Sequence, residues 1–137
     1  MRTVYLDGET LSTLDVYDVA YGRARAEIAL DAMPKIAAAR QVVENIIEQD
    51  MTVYGVNTGF GSLYKESIEA KDLQKLQQNL IKSHACGTGE EVPVEIVKLM
   101  LLLKVQSLCQ GHSGVQLDTV LRLIDFYNYD GRFFYCD

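Results

Sequence analysis

Excess positive charge, paired cysteines and a long apolar run are all missing from this sequence, and each absence closes a class of function. Thirteen Lys and Arg stand against nineteen Asp and Glu, a formal net charge of −6. Non-specific nucleic-acid binding needs clustered cations, so no nucleic-acid partner is expected. No apolar run approaches the roughly 20 residues that span a bilayer. Residues 1–8 alternate and lack the apolar centre of a signal peptide, so no membrane role is expected either. The three cysteines, Cys86, Cys109 and Cys136, are odd in number and form no Cys-x-x-Cys pair. They read as reduced thiols of a cytoplasmic protein rather than a disulfide framework. Two histidines are too few for a zinc site, and no metal is expected. What is present is 137 residues, 48% of them hydrophobic, enough for one domain or a piece of a larger one.

Periodicity then sorts the chain. Residues 3–8 alternate and end in a turn, which predicts a short strand. Ser12, three residues before Asp15, is a loose capping box opening a short helix that ends near Gly22. From Asp31, with Pro34 tolerable only in a first turn, Ile36, Ala39, Val43, Ile46 and Ile47 recur at helical spacing to about residue 49. Residues 69–83 form an amphipathic helix with Leu73, Leu76, Leu80 and Ile81 on one side and Lys71, Lys75 and Lys82 on a solvated face. Pro93 opens a helix over 94–109, whose Met100 to Leu103 run is apolar nearly all round and predicts burial on several sides. Glycines 111 and 114 break the chain before a last helix over 116–127. No repeat or linker interrupts residues 1–137, so the expectation is a single, mainly α domain with one elaborate loop.

That loop, Tyr54-Gly55-Val56-Asn57-Thr58-Gly59-Phe60-Gly61, holds three glycines and an asparagine. Glycine inside a helix costs about 1 kcal/mol relative to alanine, so the run is a shaped turn with a tyrosine at its mouth. A phenol has a reference pKa near 10, and to act as a base it needs hydrogen bonds or positive charge that lower it. The plainer alternative is a tyrosine packed on a surface turn. His84, at a helix end before Gly87, could hold a polar substrate or transfer a proton. It could equally serve helix carbonyls and the dipole. Ser113, in Gly-His-Ser-Gly, sits between helices with the wrong spacing for a nucleophile elbow, so a helix-to-helix turn is the better reading. No Lys-Ser/Thr follows Gly61 at phosphate-loop distance.

These segments, in their order and separation, resemble the histidine ammonia-lyase branch of the aromatic amino-acid lyase family. The matching runs are Val53 to Gly61, Leu76-Gln77-Gln78-Asn79-Leu80-Ile81-Lys82-Ser83-His84, and Leu101-Leu102-Leu103-Lys104 continuing to Gly111-His112-Ser113-Gly114-Val115. The resemblance covers about residues 3–130. It implies the N-terminal portion of a helical ammonia-lyase fold with a short N-terminal strand and a glycine-rich catalytic loop. The implied reaction is non-oxidative deamination of L-histidine to trans-urocanate and ammonia. Tyr54 matches the family's catalytic tyrosine and His84 the histidine that holds the far end of the substrate. Asn79 and Leu80 match pocket positions, and Gly55, Asn57, Gly59 and Gly61 the loop. Tyrosine- or phenylalanine-specific lyases and aminomutases, some with a histidine at this position, remain alternatives, as does a non-catalytic interaction module or a folded remnant.

The departures point to a portion inactive by itself. The family's methylidene-imidazolone forms from an internal Ala-Ser-Gly, and these 137 residues contain none, so no cofactor is expected in this chain. Lys104 and Gln106 stand where many members carry Arg and Asn, and Lys104 could not keep a bidentate arginine contact. After Asn128 the family leads into Gly-Ser-x-Gly-Ala-Ser-Gly, whereas residues 129–137 do not. The expectation is an out-of-frame tail, from a frameshift or premature stop, which the adjacent DNA tests. Apolar faces at 100–108 and 120–126, left without the rest of a bundle, predict a homo-oligomer.

Overall fold

Alternation sets the first element. In the computed structural model, which describes residues 1–59 and 68–129, Arg2–Leu6 forms strand β1. Val4 and Leu6 are buried with Tyr5 exposed between them, the period of two of a half-buried strand. Asp7 organises the turn that follows. Its carboxylate accepts hydrogen bonds from the Glu9 and Thr10 amides at 2.7 and 2.8 Å and from the Thr10 hydroxyl. The Gln106 amide adds a fourth donor at 3.3 Å. These donors, the Thr10 hydroxyl foremost, hold the Asp7 carboxyl well below the usual carboxylate range.

Helix α1, Thr13–Ala20, begins at the predicted capping box. The Ser12 hydroxyl accepts from the Asp15 amide at 3.2 Å, and the Asp15 carboxylate accepts from the Ser12 amide at 3.2 Å. Two amides that the first turn would leave unpaired are thereby satisfied. Beyond α1 lies a strand absent from the sequence-based expectation. β2, Ala24–Ile28, pairs parallel to β1, with Arg2 opposite Ala24 and Leu6 opposite Ile28. Ala, Arg and Glu give it little intrinsic β preference. Burial of Ala24, Ala26 and Ile28 on one face decides instead. The far edge of β2 is closed by a side chain. Asn128 accepts from the Ala26 amide at 3.4 Å and donates to the Ala26 carbonyl at 2.8 Å.

The remaining helices are α2 (Ala32–Glu48), α3 (Leu73–His84), α4 (Val94–Leu108) and α5 (Leu117–Asn128). They match the predicted windows to within about one residue at their ends, except that the first turn expected for α3 is a 3-10 turn over Ala70–Asp72. Two compact units result, one from Met1–Gln41 with the described residues from Val92 onward, the other Val42–Glu91. In the first, α5 packs on β2 and α4, and α1 on β2 and α4. Leu6, Leu102, Val105 and Val120 are wholly buried at its centre.

The apolar run in α4 is covered on one side only. Leu101 and Leu102 are buried, but Met100 and Leu103 are 64% and 52% exposed. The predicted burial on several sides therefore fails within this unit, because its other elements meet α4 along a single face. Cys109 lies at the end of α4, where burial pushes its thiol up to about 11, while Cys86 is exposed. Gly111 then turns the chain with φ +75°, and a Cβ there would stand 2.7 Å from the Lys35 carbonyl oxygen. Only glycine fits so close an approach. The Ser113 hydroxyl accepts from the Val115 amide at 3.4 Å, as expected of a helix-to-helix turn. Among the described residues no helix is long and apolar enough to cross a membrane.

Candidate functional site

The predicted site residues that the structure describes all belong to the second unit, 42–91. Its loop starts where α2 stops. Asp50 takes a left-handed φ of 51°. The Asp50 and Met51 amides bond back to the Ile47 and Ile46 carbonyls at 3.2 and 3.1 Å. This crossed pair is a Schellman closure, with aspartate where glycine is commoner. It redirects the chain at once into a second tight turn.

In that turn the Val56 amide bonds the Val53 carbonyl at 3.1 Å, and Gly55 in third position has φ +80°. A type II turn requires positive φ at that position, which explains a glycine directly after Tyr54. Tyr54 therefore sits at the apex and is 63% exposed. Asn57 closes the loop from inside and is only 3% exposed. Its Oδ1 accepts from the Val53 amide at 2.9 Å, and its Nδ2 donates to the Met51 carbonyl at 2.8 Å. The Asn57 amide also reaches the Val53 carbonyl at 3.3 Å, and its carbonyl accepts from the Ile68 amide at 2.8 Å. Thr58 and Gly59 are buried behind it, the Thr58 hydroxyl donating to the Gly59 carbonyl at 2.9 Å. Gly61 lies outside the described residues, as do the Cys136 thiol and the tail from 130 onward.

His84 ends α3. Its Nδ1 stands 2.9 Å from the Leu80 carbonyl and 2.9 Å from the Ser83 hydroxyl, which itself donates to Leu80 at 2.9 Å. A carbonyl only accepts, so Nδ1 carries the proton there, and in the neutral ring Nε2 is then the acceptor. The helix-end role and the substrate-holding role are thus compatible: Nδ1 serves the helix on a side chain that is exposed. Leu80 is half-buried one turn before His84, on the same face. Asn79 is exposed and a third of a turn away. Lys71, Lys75 and Lys82 are exposed, Lys71 pairing with Glu69 at 2.6 Å.

The structure thus gathers Tyr54, Gly55, Asn57 and Gly59 in one loop, and Leu80 with His84 on one helix face. Among the described residues, three clefts of about 310 to 350 Å³ lie in the other unit, and none of these three includes residues 54–59 or 79–84. Two features of this loop escape sequence reading. The αL turn at Asp50 has no glycine to announce it. The inward clasp of Asn57 looks, in sequence, like one more polar turn residue.

Residues 11–130 match the sequence profile of the aromatic amino acid lyase family. The chain belongs to that family. It is 43% identical over 126 residues to histidine ammonia-lyase of Staphylococcus aureus (strain bovine RF122 / ET3-1), covering 92% of this chain and 25% of that one. Among solved structures, histidine ammonia-lyase from Trypanosoma cruzi superposes with a TM-score of 0.82 at 41% identity, covering 93% of this chain and 25% of that one. Ergothionase from Treponema denticola, an ergothioneine-degrading enzyme, gives 0.87 at 31% identity, covering 93% and 26%. The helical lyase fold is therefore shared. This chain spans about a quarter of the length of the relatives it matches.

Proposed function

We propose that this chain is the N-terminal portion of a histidine ammonia-lyase and contributes the base and a substrate-holding residue to its site. The observation that carries the reading is the type II turn clasped by Asn57, which sets Tyr54, 63% exposed, at the second position of a closed turn. An apical phenol on a closed turn suits a group that takes a poorly acidic proton from a bound amino acid. His84 suits the other end of that substrate. With Nδ1 engaged at Leu80, Nε2 accepts a hydrogen bond from an imidazole N–H. Identities of 41 to 43% with histidine ammonia-lyases, against 31% with ergothionase, favour L-histidine over other substrates.

The 137 residues contain no Ala-Ser-Gly, so this stretch does not form the family's methylidene-imidazolone. What it supplies is the tyrosine, the histidine and the half-buried Leu80 beside it. The chain by itself should be inactive, working in the cytoplasm only as part of an assembly with further lyase sequence. A homo-oligomer is the form we favour, because Ile96, Met100 and Leu103 leave an exposed apolar stripe along α4. The test is a chimera in which residues 1–128 replace the matching quarter of the Staphylococcus aureus enzyme. Urocanate should form from L-histidine and stop on Tyr54→Phe. Cinnamate or coumarate formed instead, from phenylalanine or tyrosine, would move the reading to another branch of the family.

A further inference from the structure

We infer that Asn57 is a positioning residue for Tyr54, setting the angle of the phenol through the backbone of the turn that carries it. This rests on the proposed role of Tyr54. Asn57 contacts Met51 and Val53, the residues on the N-terminal side of Tyr54, and uses both ends of its amide to do so. Oδ1 fixes the Val53 amide at 2.9 Å and Nδ2 fixes the Met51 carbonyl at 2.8 Å. The same residue's amide meets the Val53 carbonyl at 3.3 Å. Val53 is thereby held by both its N–H and its C=O, and Tyr54 is the next residue along a turn whose third position is fixed by Gly55 at φ +80°.

The chemistry of the clasp is specific to an amide. At 3% exposure Asn57 has little water to replace a lost partner, so each of its groups must find its complement in the protein. Aspartate keeps an acceptor for the Val53 amide but, when ionised, turns a second oxygen on the Met51 carbonyl. Protonated, the acid regains a donor there. Leucine fills the volume and serves neither group. Displacement of a reacting group by about 1 Å costs on the order of 100-fold in rate, so the clasp bears on turnover without touching substrate.

The experiment follows the Val53 amide and the Tyr54 ring by NMR in the full 137-residue chain. Asn57→Leu should speed Val53 hydrogen exchange on the order of tenfold and shift the Tyr54 ring signals, with helical circular dichroism unchanged. Asn57→Asp should do the same at neutral pH and revert toward wild type as the introduced acid protonates. Wild-type exchange and ring signals in both variants would overturn the inference. So would loss of all helical signal in both, which would make Asn57 a residue of the fold and not of the site. In the chimera, Asn57→Leu should lower kcat on the order of 100-fold with KM little changed. If Tyr54→Phe abolishes turnover while Asn57→Leu leaves kcat intact, the positioning role fails and the proposed function stands. If Tyr54→Phe leaves turnover intact, the proposed function fails first and takes this role with it.

Discussion

Asp7 shows how one side chain can hold a turn together through charge. Four donors converge on its carboxylate, from Glu9, Thr10 and Gln106, and they favour the ionised form. Its folded pKa lies below the unfolded value near 3.9. The stabilisation is therefore complete above about pH 4 and is lost as pH falls below that point. Asp7→Asn should lower the urea midpoint at pH 7 and narrow its gap from wild type at pH 2. An equal gap at both pH values would show that the carboxylate's charge is not what matters. Tyr54 and Asn57 divide their labour differently. Tyr54 is exposed and Asn57 buried, so under the proposed function the first would offer chemistry and the second only geometry. Sequence reading finds the first through its glycine neighbours. It passes over the second because an asparagine that bonds inward and one that faces water look alike in a polar loop.

At the scale of elements, the helices were legible because their signals are local. Ser12 and Asp15 cap each other as their spacing implies, and Pro93 and the break at Gly111 mark where α4 begins and where its following turn lies. β2 was not legible. Ala24-Arg25-Ala26-Glu27-Ile28 becomes a strand through tertiary contacts, pairing with β1 and packing under α5, and no window of sequence carries that information. The Asn128 side chain is part of the same effect, since it pairs both polar groups of Ala26 across 102 positions of sequence. Asn128→Ala should therefore cost about 1–2 kcal/mol, read as a fall in unfolding free energy in urea. A change within about 0.5 kcal/mol, the usual range for surface substitutions, would mean that water closes this edge equally well.

At the scale of the whole molecule, composition excluded more than it specified. An acidic chain with no long apolar run and no paired cysteines could still have been many things. The order of three motifs narrowed it to a family, and the match over residues 11–130 established that family. The exposed stripe of Ile96, Met100 and Leu103 on α4 is the feature on which the proposed self-association rests. The proposed self-association should appear in sedimentation velocity as a concentration-dependent dimer or larger species. It should weaken in a Met100→Lys, Leu103→Lys double variant, and a monomer at all concentrations would refute it.

Under the proposed function Tyr54, presented by a clasped turn, supplies the base for deamination of L-histidine once further lyase sequence is present. The decisive measurement is urocanate absorbance in the chimera bearing residues 1–128, with and without Tyr54→Phe. The expected result is no turnover by the 137-residue chain alone, turnover by the chimera, and its loss on Tyr54→Phe. A folded chimera that makes no urocanate, or one that makes it equally well without the phenol, would rule out Tyr54 as the base.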